Sequence, residues 1–166
     1  MRLAVISDIH DQLGHLRQVM ARLNALKPQA VLCCGDITKT EALLAARLPG
    51  LPLAFCLGNC DQGEAHRLRA TAAAHGIGAW GDLGEWDLGQ GQRLAAFTHY
   101  PALARKAAAS GKYQAVFYGH THRQAHEIIE TEEGPCLVAN PGDIEGRYGT
   151  FGGLLWDSES GEITWV

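Results

Sequence analysis

Short apolar runs alternate with amphipathic stretches through the first half of the chain. "LAVIS" (residues 3–7), "AVLCC" (30–34) and "LAFCL" (53–57) read as buried parallel strands, and residues 14–26, 40–48 and 62–75 read as the helices between them. In the first helix Leu13, Leu16, Met20, Leu23 and Leu26 recur every three or four residues, while Arg17, Arg22 and Asn24 fall elsewhere, so one stripe faces a sheet. "ALLAAR" and "ATAAAH" read as further helix-packing stretches. The second half changes to pairs of strands. "GEWDLGQGQRLAAFTHY" reads as two strands around a Gly-Gln-Gly turn, "QAHEIIETEEGPCLVAN" as a pair around Glu-Glu-Gly-Pro, and "GGLLWD" with "EITWV" as a last pair. The predicted architecture is α/β: a strand-rich second half packed on a helix-alternating first half, as two sheets with helices outside.

Composition narrows this picture. A chain of 166 residues with 46% hydrophobic and 19% charged residues suits one compact domain, residues 1–166, and no repeat or linker interrupts it. Lys and Arg number 14 against 18 Asp and Glu, a formal charge of -4, which leaves no basic footprint for stable nucleic-acid binding. The opening "MRLAVISDIH" is too short an apolar run, broken by Asp8, for a signal peptide or membrane span. A cytoplasmic protein without membrane contact is expected. The five cysteines are odd in number and form no CxxC pair, so reduced core residues are expected of most of them, Cys33 and Cys34 first.

The chemistry lies where the apolar runs stop. Asp8 and His10 follow the first, Asp36 the second and Asn59 the third; His99 closes "LAAFTH", and His120 with His122 closes "AVFYGHTH". Strand-end loops are where an α/β sheet builds its sites. Taken singly, Asp8 and Asp36 read equally well as helix N-caps, Asn59 and Asp61 as a turn, and His99 as an ordinary loop histidine. Taken together, two carboxylates, four imidazoles and one amide form a mixed nitrogen and oxygen set suited to Mn, Zn, Fe, Co or Ni rather than calcium. Seven donors exceed the needs of one ion and suit two that share a carboxylate. A water between two such ions is acidified and attacks phosphorus in line, while the ions neutralise the phosphoryl oxygens. The imidazoles bind only when neutral, so metal affinity should fall in acid.

The ordered series D-x-H (Asp8, His10), G-D (Gly35, Asp36), G-N-C-D (Gly58 to Asp61), His99 and G-H-T-H (Gly119 to His122) resembles the calcineurin-like metallophosphoesterases, most of all their small single-domain prokaryotic phosphodiesterase branch. "NPGD" at Asn140 to Asp143 resembles the turn that follows there. The resemblance implies a two-sheet sandwich flanked by helices. It implies that Asp8, His10, Asp36 and His122 hold one metal, and Asp36, Asn59, His99 and His120 the other, with Asp36 bridging. Two divalent ions, manganese first and Ni, Zn, Fe, Co or Mg as substitutes, would then hydrolyse a small phosphoric ester, a diester before a monoester. A catalytically weak interaction scaffold on the same fold is the alternative. Asp36, Asn59, Cys60, Asp61 and His99 are the candidate catalytic residues.

Three positions depart from the family pattern. Cys60 stands where a histidine often protonates the leaving group, so either slow turnover and good leaving groups or a wall-filling role is expected of it. Asp61 is expected to orient a ligand or the Asn59 loop. Tyr100 replaces a common glycine and should narrow the site, and Asp143 replaces a common serine, where it would either repel phosphate or cap its turn. Arg123, Arg147 and Tyr148 are read as solvated loop residues within reach of substrate, and His15, His66, His75 and His126 as surface residues. Without a cap domain, an open site of broad selectivity is expected, and exposed sheet edges leave room for a homo-oligomer.

Overall fold

The computed structural model describes residues 1–89 and 91–166. The chain folds in the order β1 (Arg2–Ile6), α1 (Leu13–Ala25), β2 (Ala30–Cys33), α2 (Thr40–Ala45), β3 (Leu53–Phe55), a 3-10 turn (Asn59–Asp61) and α3 (Ala65–His75). It continues through β4 (Gly78–Ala79), β5 (Leu83–Trp86), β6 (Leu94–Thr98), α4 (Pro101–Ala108), β7 (Tyr113–Phe117), β8 (Gln124–Ile129), β9 (Cys136–Pro141), β10 (Leu154–Asp157) and β11 (Ile163–Trp165). One sheet has the order β11-β10-β1-β2-β3-β4 and the other β5-β6-β7-β9-β8. The strands β1, β2, β3 and β4 run parallel, as do β6, β7 and β9.

Alternation along each strand builds four layers. Leu3 and Val5 face inward against Phe97, Phe117 and Trp156 between the sheets. Ala4 and Ile6 face outward against Leu16, Val19, Met20 and Leu23 of α1. On the far side Ala104, Ala107 and Ala108 of α4 cover Ala96, Val116 and Val138. Each large side chain so enclosed contributes roughly 1.5–3 kcal/mol relative to exposure, and an edge-on contact of Phe117 with Trp156, 5.6 Å between centroids, ties the sheets together.

The structure differs from the sequence expectations at several points. The last strand pair does not extend the second sheet: β10 pairs antiparallel with β1, so the two sheets do not divide at the halves of the chain. Helix α4 and the short β4 were not expected. α4 has Leu103 as its one large apolar residue and packs through Ala104, Ala107 and Ala108 behind Pro101 at its first position. α2 stops at Ala45, and α3 begins only after the 3-10 turn. Asp8 and Asp36 cap no helix; Gln12 and Lys39 occupy the N-cap positions of α1 and α2. The expected Gly-Gln-Gly turn centres on Gln90, which lies outside the described residues, although its two strands pair as β5 and β6. His66, His75 and His126 are exposed. His15 is not a simple surface residue: it is half-buried, stacked on Phe151 at 3.9 Å, with Nδ1 3.1 Å from the Ile144 carbonyl.

Candidate metal centre

The parallel strands β1, β2 and β3 of one sheet and β6 and β7 of the other all release their chains at one end of the sandwich, and the seven candidate ligands meet there. His10 Nε2 lies 3.5 Å from Asp36 Oδ2 and 3.9 Å from Asp8 Oδ1. His122 Nε2 lies 3.4 Å from Asp8 Oδ1. On the other side of Asp36, His99 Nε2 is 3.4 Å from the same Oδ2, 2.9 Å from Asn59 Oδ1 and 3.2 Å from His120 Nδ1. Asn59 Oδ1 is also 3.0 Å from His120 Nδ1. Asp36 Oδ2 is thus the atom common to both groups. Donors about 2.0–2.2 Å from a shared ion stand roughly 3–3.5 Å apart.

The backbone is bent to make this meeting. Asp8, His10, Asp36, His120 and His122, five of the seven, have φ between 42° and 71°, a region that costs non-glycine residues energy and clusters at functional sites. The β1 and β2 loops are bonded to each other through Asp8 N to Gly35 O and Ile9 N to Asp36 O. Glycines admit the close approach: a Cβ on Gly58 would meet Asp36 Oδ1 at 2.1 Å, and one on Gly119 would meet Ser7 Oγ at 1.9 Å and Asp8 Oδ2 at 2.6 Å.

Four of the candidate ligands, Asp8, Asp36, His99 and His122, have one atom held from behind and another aimed inward. Asp8 Oδ2 accepts from Ser7 Oγ (2.6 Å) and His120 N (3.0 Å), whereas the buried Asp8 Oδ1 has no hydrogen-bond partner among the described residues. Asp36 Oδ1 accepts from Cys60 N at 2.8 Å, leaving Oδ2 in the site. His99 Nδ1 lies 2.9 Å from the Cys34 carbonyl, and His122 Nδ1 lies 2.8 Å from Asp143 Oδ2 and 3.3 Å from Glu145 Oε2. In the neutral ring that a metal requires, a nitrogen facing only acceptors carries the proton, which leaves Nε2 of both histidines as the metal-binding atom. In that state these nitrogens face Asn59 Oδ1 and Asp8 Oδ1, lone pair against lone pair. The buried His10 Nε2 likewise lacks a hydrogen-bond partner. Such an arrangement is repulsive without a cation between the donors, and the donor set fits divalent metals.

The supporting residues were partly expected. Asp61 is fully buried and orients no imidazole; it accepts from Asp36 N (2.9 Å), Thr38 N (2.8 Å) and Gly58 N (2.8 Å), tying the β2 and β3 loops together. Burial lifts its carboxyl above the ordinary value against those three donors, and burial does the same for Asp8 against Ser7, His99 and His122. Asp143, 2% exposed, faces the back of His122 rather than the open side of the site, and it also accepts from Arg147 N. Asn140 of "NPGD" donates to Gly119 O and Thr121 Oγ1 and holds the "GHTH" loop. Sequence reasoning missed Ser7 and Glu145; their positions, one residue before Asp8 and two after Asp143, were the available signal.

Cys60 is exposed beside the first group, with its thiol accepting from Asn59 Nδ2 at 3.1 Å. Partial desolvation, reinforced by Asp36, pushes that thiol up to about 11, so it keeps its proton at neutral pH. The other four cysteines are buried, and all five are free. The Tyr100 ring packs edge-on against His99, 5.2 Å between centroids, and lies 6.0 Å from His120, on the wall it was expected to narrow.

Known proteins share this fold. The calcineurin-like phosphoesterase superfamily domain matches residues 1–157. Phosphodiesterase MJ0936 of Methanocaldococcus jannaschii is 25% identical over 88% of this chain and 86% of its own. A solved archaeal phosphodiesterase superposes with a TM-score of 0.85 at 25% identity, covering 100% of this chain and 99% of the other. The Escherichia coli phosphoesterase YfcE, at a TM-score of 0.65 and 17% identity over 100% and 98% of the two chains, shares the fold. With two mixed sheets, flanking helices and the match running through the ligand-bearing loops, the chain belongs to the calcineurin-like phosphoesterase superfamily.

Proposed function

We propose that this protein is a dimetal phosphodiesterase of small phosphoric esters, built on a single domain of residues 1–166. The observation that carries the reading is the convergence of seven nitrogen and oxygen donors about the Asp36 carboxylate, with Asp8 Oδ1 and His10 Nε2 buried there without a hydrogen-bond partner among the described residues. Asp8, His10, Asp36 and His122 would hold one ion, and Asp36, Asn59, His99 and His120 the other. When bound, two divalent ions supply Lewis-acid activation of water and neutralise phosphoryl charge. The chain's own residues do the rest. Ser7, Asp143 and the Cys34 carbonyl fix the direction of Asp8, His122 and His99, Asp61 holds the Asp36 backbone, and Asn59 and His120 form the exposed rim that a phosphoryl group meets first. The Cys60 thiol, still protonated near neutral pH, is a weak acid for a leaving alkoxide, which favours esters with good leaving groups.

We take manganese as the working ion, for which the two carboxylates and the Asn59 amide oxygen are suitable donors, with Ni, Zn, Fe, Co or Mg as substitutes; the four imidazoles suit Zn, Fe and Ni equally well. Five free cysteines support a reducing, cytoplasmic setting. Among the described residues no helix is long and apolar enough to cross a membrane. The net charge of -4 argues against stable nucleic-acid binding, and the open sheet edge at β8, exposed over most of its length, leaves room for self-association.

The test is a panel of bis(p-nitrophenyl) phosphate and p-nitrophenyl phosphate, after chelation and with Mn, Ni, Zn and Mg restored singly. Metal-restored hydrolysis of the diester above the monoester is expected. Metal binding with hydrolysis of neither ester would overturn the reading in favour of a scaffold, and preference for the monoester would make the protein a phosphomonoesterase.

A further inference from the structure

Beyond the metal centre, a concavity that combines cationic and aromatic side chains lies beside the "GHTH" loop. It is a cavity of about 560 Å³, within the size range of small-ligand sites, and His122 and Asp143 form part of its wall. His122 therefore stands between two spaces: Nε2 looks toward Asp8 and the metal centre, and the rest of the residue borders the cavity.

The lining is cationic and aromatic. Arg22 comes from α1, Arg123 follows His122, and Tyr148, Thr150 and Phe151 come from the loop before β10. The Arg123 guanidinium lies over the Tyr148 ring at 4.6 Å, and Arg22 over Phe151 at 5.8 Å. Among the described residues, neither arginine is within salt-bridge distance of a carboxylate. The one acidic side chain on the wall, Asp143, is already engaged by His122 and Arg147 N. Tyr148 is 57% exposed although it is a large ring, and it lines the cavity beside Arg123. The solvated reading of Arg123 and Tyr148 from sequence holds for exposure but misses that they share one concave wall.

We propose that this cavity receives one arm of a phosphodiester substrate, an arm that carries an aromatic ring and a second anionic group, which is the chemistry of a nucleotide. The ring stacks on Tyr148, which Arg123 pre-orients, and the second anion lies between the guanidiniums of Arg22 and Arg123, while the scissile phosphorus stays on the metal side of His122. The inference rests on the phosphodiesterase reading for turnover, but binding in the cavity can be measured without it. It also replaces the broad selectivity expected of an uncapped site with a preference for anionic aromatic arms.

The test compares the Mn-loaded wild-type protein with Arg123→Ala and Tyr148→Ala on the dinucleotide pApA and on bis(p-nitrophenyl) phosphate. The ratio of kcat/KM for pApA to that for the simple diester should fall by about tenfold or more in each variant, with Arg123→Lys and Tyr148→Phe restoring much of it. An unchanged ratio in both variants overturns the proposal. Calorimetric titration of 5′-AMP into the same proteins decides the question if neither ester turns over. Binding that weakens about tenfold in both variants supports the cavity, and absent or unchanged binding overturns it. Failure of the phosphodiesterase reading shows separately, as no hydrolysis of the simple diester by the wild-type protein.

Discussion

The Asp143 carboxylate lies 2.8 Å from Nδ1 of His122, on the side of the ring away from the metal centre. It fixes the proton on Nδ1, leaves Nε2 bare, and sets the ring plane. Glu145, with Oε2 buried and 3.3 Å from the same nitrogen, is a second acceptor in reserve. Removing a carboxylate behind a ligating histidine typically costs 10–100-fold in metal affinity. Asp143→Ala should therefore weaken Mn binding by about tenfold, and the Asp143→Ala, Glu145→Ala double variant by about 100-fold. Isothermal titration with Mn, alongside circular dichroism to establish folding, measures both. Equal affinity in the double variant would remove the pair from the site.

Asp61 has a structural task that extends to the metal-free protein. Its carboxylate is the acceptor for three backbone N–H groups in two ligand-bearing loops. Asp61→Ala strands those donors in a buried place and should destabilise the chelated protein by about 3 kcal/mol. Denaturant unfolding in excess chelator gives the number. A loss below about 1 kcal/mol would mean that the loops hold without it.

Gly119 precedes the "GHTH" histidines because no side chain fits there. The predicted Cβ position falls on Ser7 Oγ and Asp8 Oδ2, with Cys34 O at 3.0 Å. Gly119→Ala should displace Asp8, cost about 2 kcal/mol of stability and lower the affinity of the first ion more than that of the second. Thermal unfolding and metal titration report the two effects independently.

Cys60 offers a pH test. Its thiol, raised from the ordinary value of 9.0 to about 11, must lose a proton before it reacts, so raising the value lowers the thiolate fraction at any pH below it. In chelated protein, iodoacetamide at pH 8.5 should alkylate Cys60 roughly 10²-fold more slowly than a free thiol, and the rate should climb with pH toward 11. Mass spectrometry separates this exposed site from the four buried cysteines. A rate plateau below pH 9 would contradict the assigned environment.

Much of the centre was legible because the fold converts a local rule into a global one: each parallel strand ends at the same face, so Asp8, Asp36, Asn59, His99 and His122 need only sit just past an apolar run. What sequence could not supply was the partner of each supporting group. "NPGD" leaves open whether Asp143 faces a phosphate, a turn or an imidazole, and only the packing of that turn behind β7 decides for His122. "GNCD" likewise does not tell that Asp61 serves the backbone of Asp36, 25 residues earlier. The same limit hid the return of β10 to β1, a pairing across most of the chain. Helix α4 was missed for a different reason: it is only eight residues long and its buried face is made of Ala104, Ala107 and Ala108 rather than the large apolar residues that mark the stripe of α1.

The most direct test of the two-ion centre is the metal content of the wild-type and Asp36→Asn proteins after equilibrium dialysis against Mn, read by inductively coupled plasma mass spectrometry. Because Asp36 Oδ2 is the atom common to both donor groups, the account predicts close to two ions per wild-type chain and a marked loss in the variant. One ion or none in the wild-type protein, or two retained by Asp36→Asn, would contradict it.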